Sequence, residues 1–129
     1  MRDEALDKNN ALLMVYESIK HRTSLSANEY ISAVLNWEVL PLIENSEVIG
    51  GVLVKQNEIH VGYGKTPKSS IKQYIKSILN FMIEKYGFVV TTVQKENEKG
   101  LVFCKRLGFF ETNEINGFIE LRCNRSNYK

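Results

Sequence analysis

The sequence predicts an α/β (α+β) fold: a central, mostly antiparallel sheet with flanking helices, in a single domain over residues 1–129. Three observations predict it. Residues 38–63 read as three apolar strands separated by the two-residue breaks Asn45-Ser46 and Gln56-Asn57, the pattern of an antiparallel meander. A long run ending at residue 86 then keeps its apolar side chains at helical spacing. The apolar strand "FVVTTV" follows that helix, and the strand–helix–strand order favours a parallel crossover. A chain of 129 residues is long enough for one hydrophobic core and too short for two.

Each element has its own justification. Asp3 is placed to cap a first helix with Leu6, Leu12, Leu13, Tyr16 and Ile19 on its apolar side. "HRTSLS" breaks it, and Ser26 caps a second helix carrying Tyr30, Ile31, Val34, Leu35 and Trp37. The pattern switches at Glu38. "EVLPLIE" is a strand whose Pro41 lacks a ladder donor and so points to a sheet edge. "EVIGGVLVK" is a continuous apolar strand, and its Gly50-Gly51 signals a bulge or the close approach of another segment. "EIHVGY" completes the meander. Thr66 and Pro67 suit the N-cap and first turn of the long helix, expected at about 67–86. Its inward positions are Ile71, Tyr74, Ile75, Ile78, Met82 and Tyr86, and Gly87 ends it. Residues 97–107 form a short amphipathic helix with Leu101, Val102 and Cys104 or Phe103 inward. "GFFET" and "GFIELRC" close the chain as a hairpin around "NEIN".

Composition narrows the function classes. The net charge is +2 and the basic residues are scattered, so no nucleic-acid partner is expected. No apolar run approaches membrane-spanning length, and "MRDEALDKNN" has no signal-peptide core, so a cytoplasmic chain without a membrane partner is expected. Cys104 and Cys123 stand nineteen residues apart with no CxxC pattern. They read as reduced thiols, and no metal site is expected.

The stretch "NEKGLVFCKRLGFFET", residues 97–112, is the most specific in the chain. Asn97, Gly100, Cys104, Gly108 and Phe109 fill a frame that follows a long helix and the strand "GFVVTTV". With "VIGGVLV" and "EIHVGY" before them, these residues resemble the GNAT (Gcn5-related N-acetyltransferase) superfamily over roughly 38–123. The resemblance implies a GNAT-like sheet in which the parallel strands before the long helix and before the Asn97 helix splay apart. Acetyl-coenzyme A (acetyl-CoA) lies in that gap in the family and bonds to the backbone of the first strand, here 58–63. Val61 and Tyr63 are thereby candidate cofactor contacts. Asn97 faces the pantetheine arm or caps its helix; Gly108 permits a left-handed helix end, and Phe109 returns to the core.

The chain also departs from the family pattern. Active members usually carry Gly-x-Gly or Gly-x-Ala where the strand enters the long helix, letting backbone N–H groups approach the pyrophosphate. "YGKTPKSS" has a single glycine there, and Pro67 removes one donor. Lys65, Lys68, Ser69 and Ser70 are the candidate phosphate contacts, or else a capped helix start with solvated lysines. Cys104 stands where members often place a Tyr that protonates the leaving thiolate; the plainer reading is a small apolar residue. Glu58 and His60 share a strand face and are the candidate bases for an attacking amine, or else an exposed Glu and a packed His. The first helix leaves no room for the strand with which GNAT chains usually begin.

Two function classes follow. The degraded pattern favours a GNAT-fold protein, weakly active or non-catalytic and without need of a cofactor, like the small phage-encoded head-assembly and virion proteins it resembles. Its partner is then another protein of an assembly, in host cytoplasm or virion. An apolar surface patch near Trp37, Phe109, Phe110 or Phe118 is expected in that case. The alternative is an active acetyl-CoA-dependent N-acetyltransferase acting on a small amine or a protein amine. Fold alone does not choose between them.

Overall fold

The structure, a computed structural model, describes residues 3–64 and 71–124. Its elements run α1 (Glu4–Ile19), a 3₁₀ turn, α2 (Ala27–Ala33), β1 (Glu38–Glu44), β2 (Glu47–Lys55), β3 (Glu58–Tyr63), α3 (Lys72–Tyr86), β4 (Val89–Gln94), α4 (Glu98–Leu107), β5 (Phe110–Ile115) and β6 (Phe118–Cys123). The six strands form one sheet in the order β1-β2-β3-β4-β6-β5. β3 and β4 are parallel, while β1–β2, β4–β6 and β5–β6 are antiparallel. Pro41 lies on β1, an edge strand, where a missing donor costs nothing. Contacts divide the chain into two compact units, Met1–Lys55 with His60–Ser69, and Gln56–Ile59 with Ser70–Lys129.

In the first unit α1 packs on β1 and β2. Asp3 caps it by accepting the Leu6 N–H at 3.2 Å. The helix buries Asp7, Ala11 and Val15, one line at four-residue spacing; of the expected leucines only Leu12 packs, partly buried, against the core. Leu6 is 55% exposed and Leu13 38%. The cause is close approach. A Cβ added at Gly51 would lie 3.1 Å from the Ala11 Cβ, and one at Gly62 would lie 3.1 Å from Val15 Cγ1 and 2.7 Å from Ser18 Oγ. Only small side chains fit a helix this near the sheet backbone, so bulky ones are turned to its flanks. Ala11, Val39 and Val48 form the buried cluster, with Leu12 packed against it.

Ser26 caps α2 in a reciprocal box: Ser26 Oγ accepts the Glu29 N–H and Glu29 Oε1 accepts the Ser26 N–H. The helix stops at Ala33, short of the expected Val34, Leu35 and Trp37, and buries none of its residues. It is held instead by its tyrosine: the Tyr30 ring lies 5.8 Å from that of Tyr16, whose hydroxyl donates to the Leu25 carbonyl at 2.7 Å. Asn45 and Ser46 both take positive φ, the tight turn that antiparallel neighbours need. The β1–β2 register slips between Leu42 and Ile43, placing a bulge opposite, at Ile49 beside Gly50.

In the second unit α3 packs on β4 and buries Ile75, Leu79 and Met82. Tyr74 and Tyr86, expected inward, are 44% and 39% exposed. The buried residues of α3 also include Lys76, and partial burial still pushes the Tyr74 hydroxyl up. The helix begins at Lys72, and no side chain caps it. The expected capping pair Thr66 and Pro67 lies outside the described residues. Gly87 ends α3 in the left-handed region, as expected. The closing hairpin differs from its expected outline. β5 continues through Asn113, Glu114 and Ile115, and the turn is Asn116-Gly117, both at positive φ. Asn-Gly suits that turn, whereas the polar composition of "NEIN" imitated a loop. All six residues of β5 are exposed, which permits polar side chains along a sheet-edge strand.

Candidate functional site

The parallel β3–β4 ladder is one registered pair, Glu58↔Val90. Beside it the Val90 N–H donates to the Asn57 carbonyl at 2.8 Å, and Thr91 Oγ1 donates to the Ile59 carbonyl at 2.5 Å. After Ile59 no further β3–β4 pair is registered among the described residues. The other edge of β3 faces β2, where the Gly64 N–H donates to the Ile49 carbonyl at 2.9 Å. Counting back by twos from Gly64, the backbone groups of Gly62, His60 and Glu58 face β2, so those of Ile59, Val61 and Tyr63 point away from it. The Ile59 carbonyl accepts from Thr91. Val61 and Tyr63 thus turn their N–H and C=O groups to the side of β3 away from β2, the direction from which an extended ligand backbone would pair.

Side chains alternate along the same strand. Glu58 and His60 share one face of β3, the face on which the Gly62 position meets α1, and both are half-buried. His60 belongs to an aromatic cluster that the sequence reading did not assemble. Its ring centroid lies 5.4 Å from that of Trp37, tilted by 54°. The Lys55 Nζ stands 6.0 Å from the Trp37 centroid. Strand register explains the meeting: Glu38 pairs with Val54, so Trp37 falls beside Lys55, and the two-residue turn after Lys55 brings His60 opposite Leu53. The signal was present in the strand lengths and turn lengths, but it appears only when three strands are laid side by side.

Asn97 caps α4, accepting the Gly100 N–H on Oδ1 at 3.1 Å. Gly108 closes the helix at φ 110, and Phe109 is 5% exposed, so the Gly-Phe corner turns the chain into the core. Of the helix's apolar residues only Leu107 is buried; Leu101, Phe103 and Cys104 are half-buried and Val102 is 48% exposed. Burial pushes the Cys104 thiol up to about 11. The expected phosphate contacts Lys65, Lys68, Ser69 and Ser70 lie outside the described residues. Among the described residues there is no group of three His, Cys, Asp or Glu side chains able to hold a metal, and no helix long and apolar enough to cross a membrane.

No protein-family model matches the sequence, and no curated protein matches it significantly. Solved structures match over nearly the whole chain. A ribosomal-protein-alanine N-acetyltransferase from Brucella melitensis is similar with a TM-score of 0.70 and 11% identity, covering 97% of this chain and 98% of that one. A PaiA N-acetyltransferase from Thermoplasma acidophilum, in complex with coenzyme A, has a TM-score of 0.68 and 16% identity, covering 97% of each chain. A spermidine N-acetyltransferase from Vibrio cholerae has a TM-score of 0.66 and 14% identity, covering 90% of each. At such identities the likeness is one of backbone. By strand order, parallel crossover and coverage, the chain has the GNAT fold, the fold of these N-acetyltransferases.

Proposed function

We propose that this chain is an acetyl-CoA-binding N-acyltransferase domain acting on an amine. The observation that carries the reading is the backbone likeness, over nearly the whole chain, to N-acetyltransferases of known structure. Three solved neighbours hold coenzyme A or acetyl-CoA. The cofactor supplies an activated acetyl thioester. Val61 and Tyr63 hold the amides of its pantetheine arm by strand-like hydrogen bonds. His60 or Glu58 takes the proton that the amine nitrogen loses as its bond to the acetyl carbon forms and the carbon–sulfur bond breaks. Lys65, Lys68, Ser69 and Ser70 receive the phosphates.

Cys104 suits the remaining role poorly. A donor whose pKa is about 11 must protonate the thiolate of an ordinary thiol near about 8.5, an uphill transfer of about 3 kcal/mol. With so weak a donor at that position, slow turnover is the expectation. Asn97 serves as the α4 cap, since its Oδ1 is already engaged.

A scaffold kept for partner binding is the second reading. Its support is the β5–β6 hairpin, where Phe110, Phe118 and Ile115 are 46%, 44% and 49% exposed, with Ile115 and Phe118 directly paired. Phe109, also expected in that patch, is buried, and Trp37 is half-buried beside His60. None of the neighbours named above is a virion or assembly protein, so the order of the two readings given by the sequence is reversed. Calorimetric titration with acetyl-CoA decides. Saturable binding that weakens with added salt is expected; no heat at millimolar ligand would sink the acyltransferase reading.

A further inference from the structure

Trp37 is not among the residues proposed to hold acetyl-CoA, and its chemistry suits the other substrate. The indole is half-buried and stays partly open to water. By strand alternation it shares a sheet face with Val39 and Leu53, a cross-strand pair that is 6% and 2% exposed. The His60 imidazole stands against it at 5.4 Å. A primary ammonium, the exposed Lys55 Nζ, already stands over its ring at 6.0 Å. That distance is the outer limit of a cation–π contact, so the occupant is weakly held.

We propose that Trp37 is the acceptor-recognition surface of this domain, that it takes a primary alkylammonium chain of the kind a polyamine or a lysine side chain presents, and that Lys55 is a built-in occupant that such an acceptor displaces. The inference rests on the amine-acceptor reading and deepens it. Three features carry it. The ring face is electron-rich and aromatic, which selects cations over isosteric neutral chains. The native occupant is itself an aminobutyl group, so the site is already shaped for that chemistry. The candidate base His60 is the indole's other neighbour, so the proposed acceptor surface and the proposed base adjoin.

The test uses the full chain without acetyl-CoA. Trp37 is its single tryptophan, so indole emission reports this surface alone. The protein is titrated with 1,5-diaminopentane at constant ionic strength, and with 1,5-pentanediol as the neutral isostere. A saturable emission change with the diamine and none with the diol is expected. Lys55→Met, an exposed position whose loss leaves the core intact, removes the occupant and should tighten diamine binding about two- to fivefold. Trp37→Leu, followed by saturation-transfer NMR of the diamine, should lose the signal. An equal response to the diol, a non-saturating response, or unchanged affinity in Lys55→Met overturns the proposal. Acetyl-CoA calorimetry reports separately. Diamine binding without acetyl-CoA binding leaves this surface standing and removes the acyltransferase reading, and the converse removes this surface alone.

Discussion

Cys104 shows how one side chain's environment sets its chemistry. The sequence places it in a frame where a proton donor is customary, and burial then makes the thiol a reluctant acid. At pH 8 a pKa of about 11 leaves roughly one thiol in a thousand ionised, so alkylation of Cys104 should run about 10²-fold slower than that of an ordinary thiol. Its rate should rise tenfold per pH unit until about pH 11; peptide mapping separates it from Cys123, which is fully buried. The same shift has a stability consequence. The folded pKa is raised above the unfolded value of 9.0, so the thiol's contribution is fully present below pH 9 and is lost as pH rises toward about 11. Two units correspond to about 3 kcal/mol at most. The difference between wild-type and Cys104→Ala denaturation curves across that window should show it, and parallel curves would contradict the burial of the thiol.

At the scale of elements, two contacts fix the strand on which the candidate site depends. Gly50 lies beside the β2 bulge, where an added Cβ would collide with the Gly62 carbonyl oxygen and come within 2.7 Å of Tyr63 Cα. Both are backbone atoms and cannot swing aside. Gly50→Ala should therefore cost about 3 kcal/mol, read as a lower denaturation midpoint with an unchanged slope. Thr91 ties the start of β3 to β4 through the Ile59 carbonyl. Thr91→Val keeps the shape and removes that bond, with an expected loss of about 1–2 kcal/mol. A neutral result would mean that the single Glu58↔Val90 pair holds the strands unaided. β5 shows a different device. A bulge at Thr112, the glutamates Glu111 and Glu114, and the Asn113 side chain bonded to the Glu114 N–H together blunt the sheet edge.

Across the whole molecule, burial is uneven, and protection should follow it. Val52, Leu53, Leu79, Val89 and Leu121 are at most 2% exposed, whereas α2 buries none of its residues. Local opening needs little free energy where few apolar contacts are broken. Native-state hydrogen exchange should therefore find the amides of α2 exchanging well before those of β2, β4, β6 and the middle of α3. Equal protection of α2 would mean that its capping box and the Tyr16–Tyr30 contact hold it as firmly as a core.

The sequence by itself determined what local chemistry controls. Asp3, Ser26 and Asn97 named three helix starts, Gly87 and Gly108 two helix ends, and the apolar runs the boundaries of β1, β2 and β3. It also favoured a parallel crossover from strand through long helix to strand, since a helix that returns along the sheet starts the next strand in the same direction, and the structure has that parallel pair. Tertiary structure decided the rest. Which face of α1 turns inward depended on Gly51 and Gly62 admitting the helix at backbone distance, forty and more residues from Ala11. Likewise Leu79 replaced the tyrosines of α3 because the choice among apolar positions depends on what each meets across the interface. Val61 and Tyr63 could be named from a resemblance, but whether their backbone groups are partnered is a property of two strands together. Trp37, Lys55 and His60 are scattered over twenty-four positions of sequence, and only the stacking of three strands makes them neighbours.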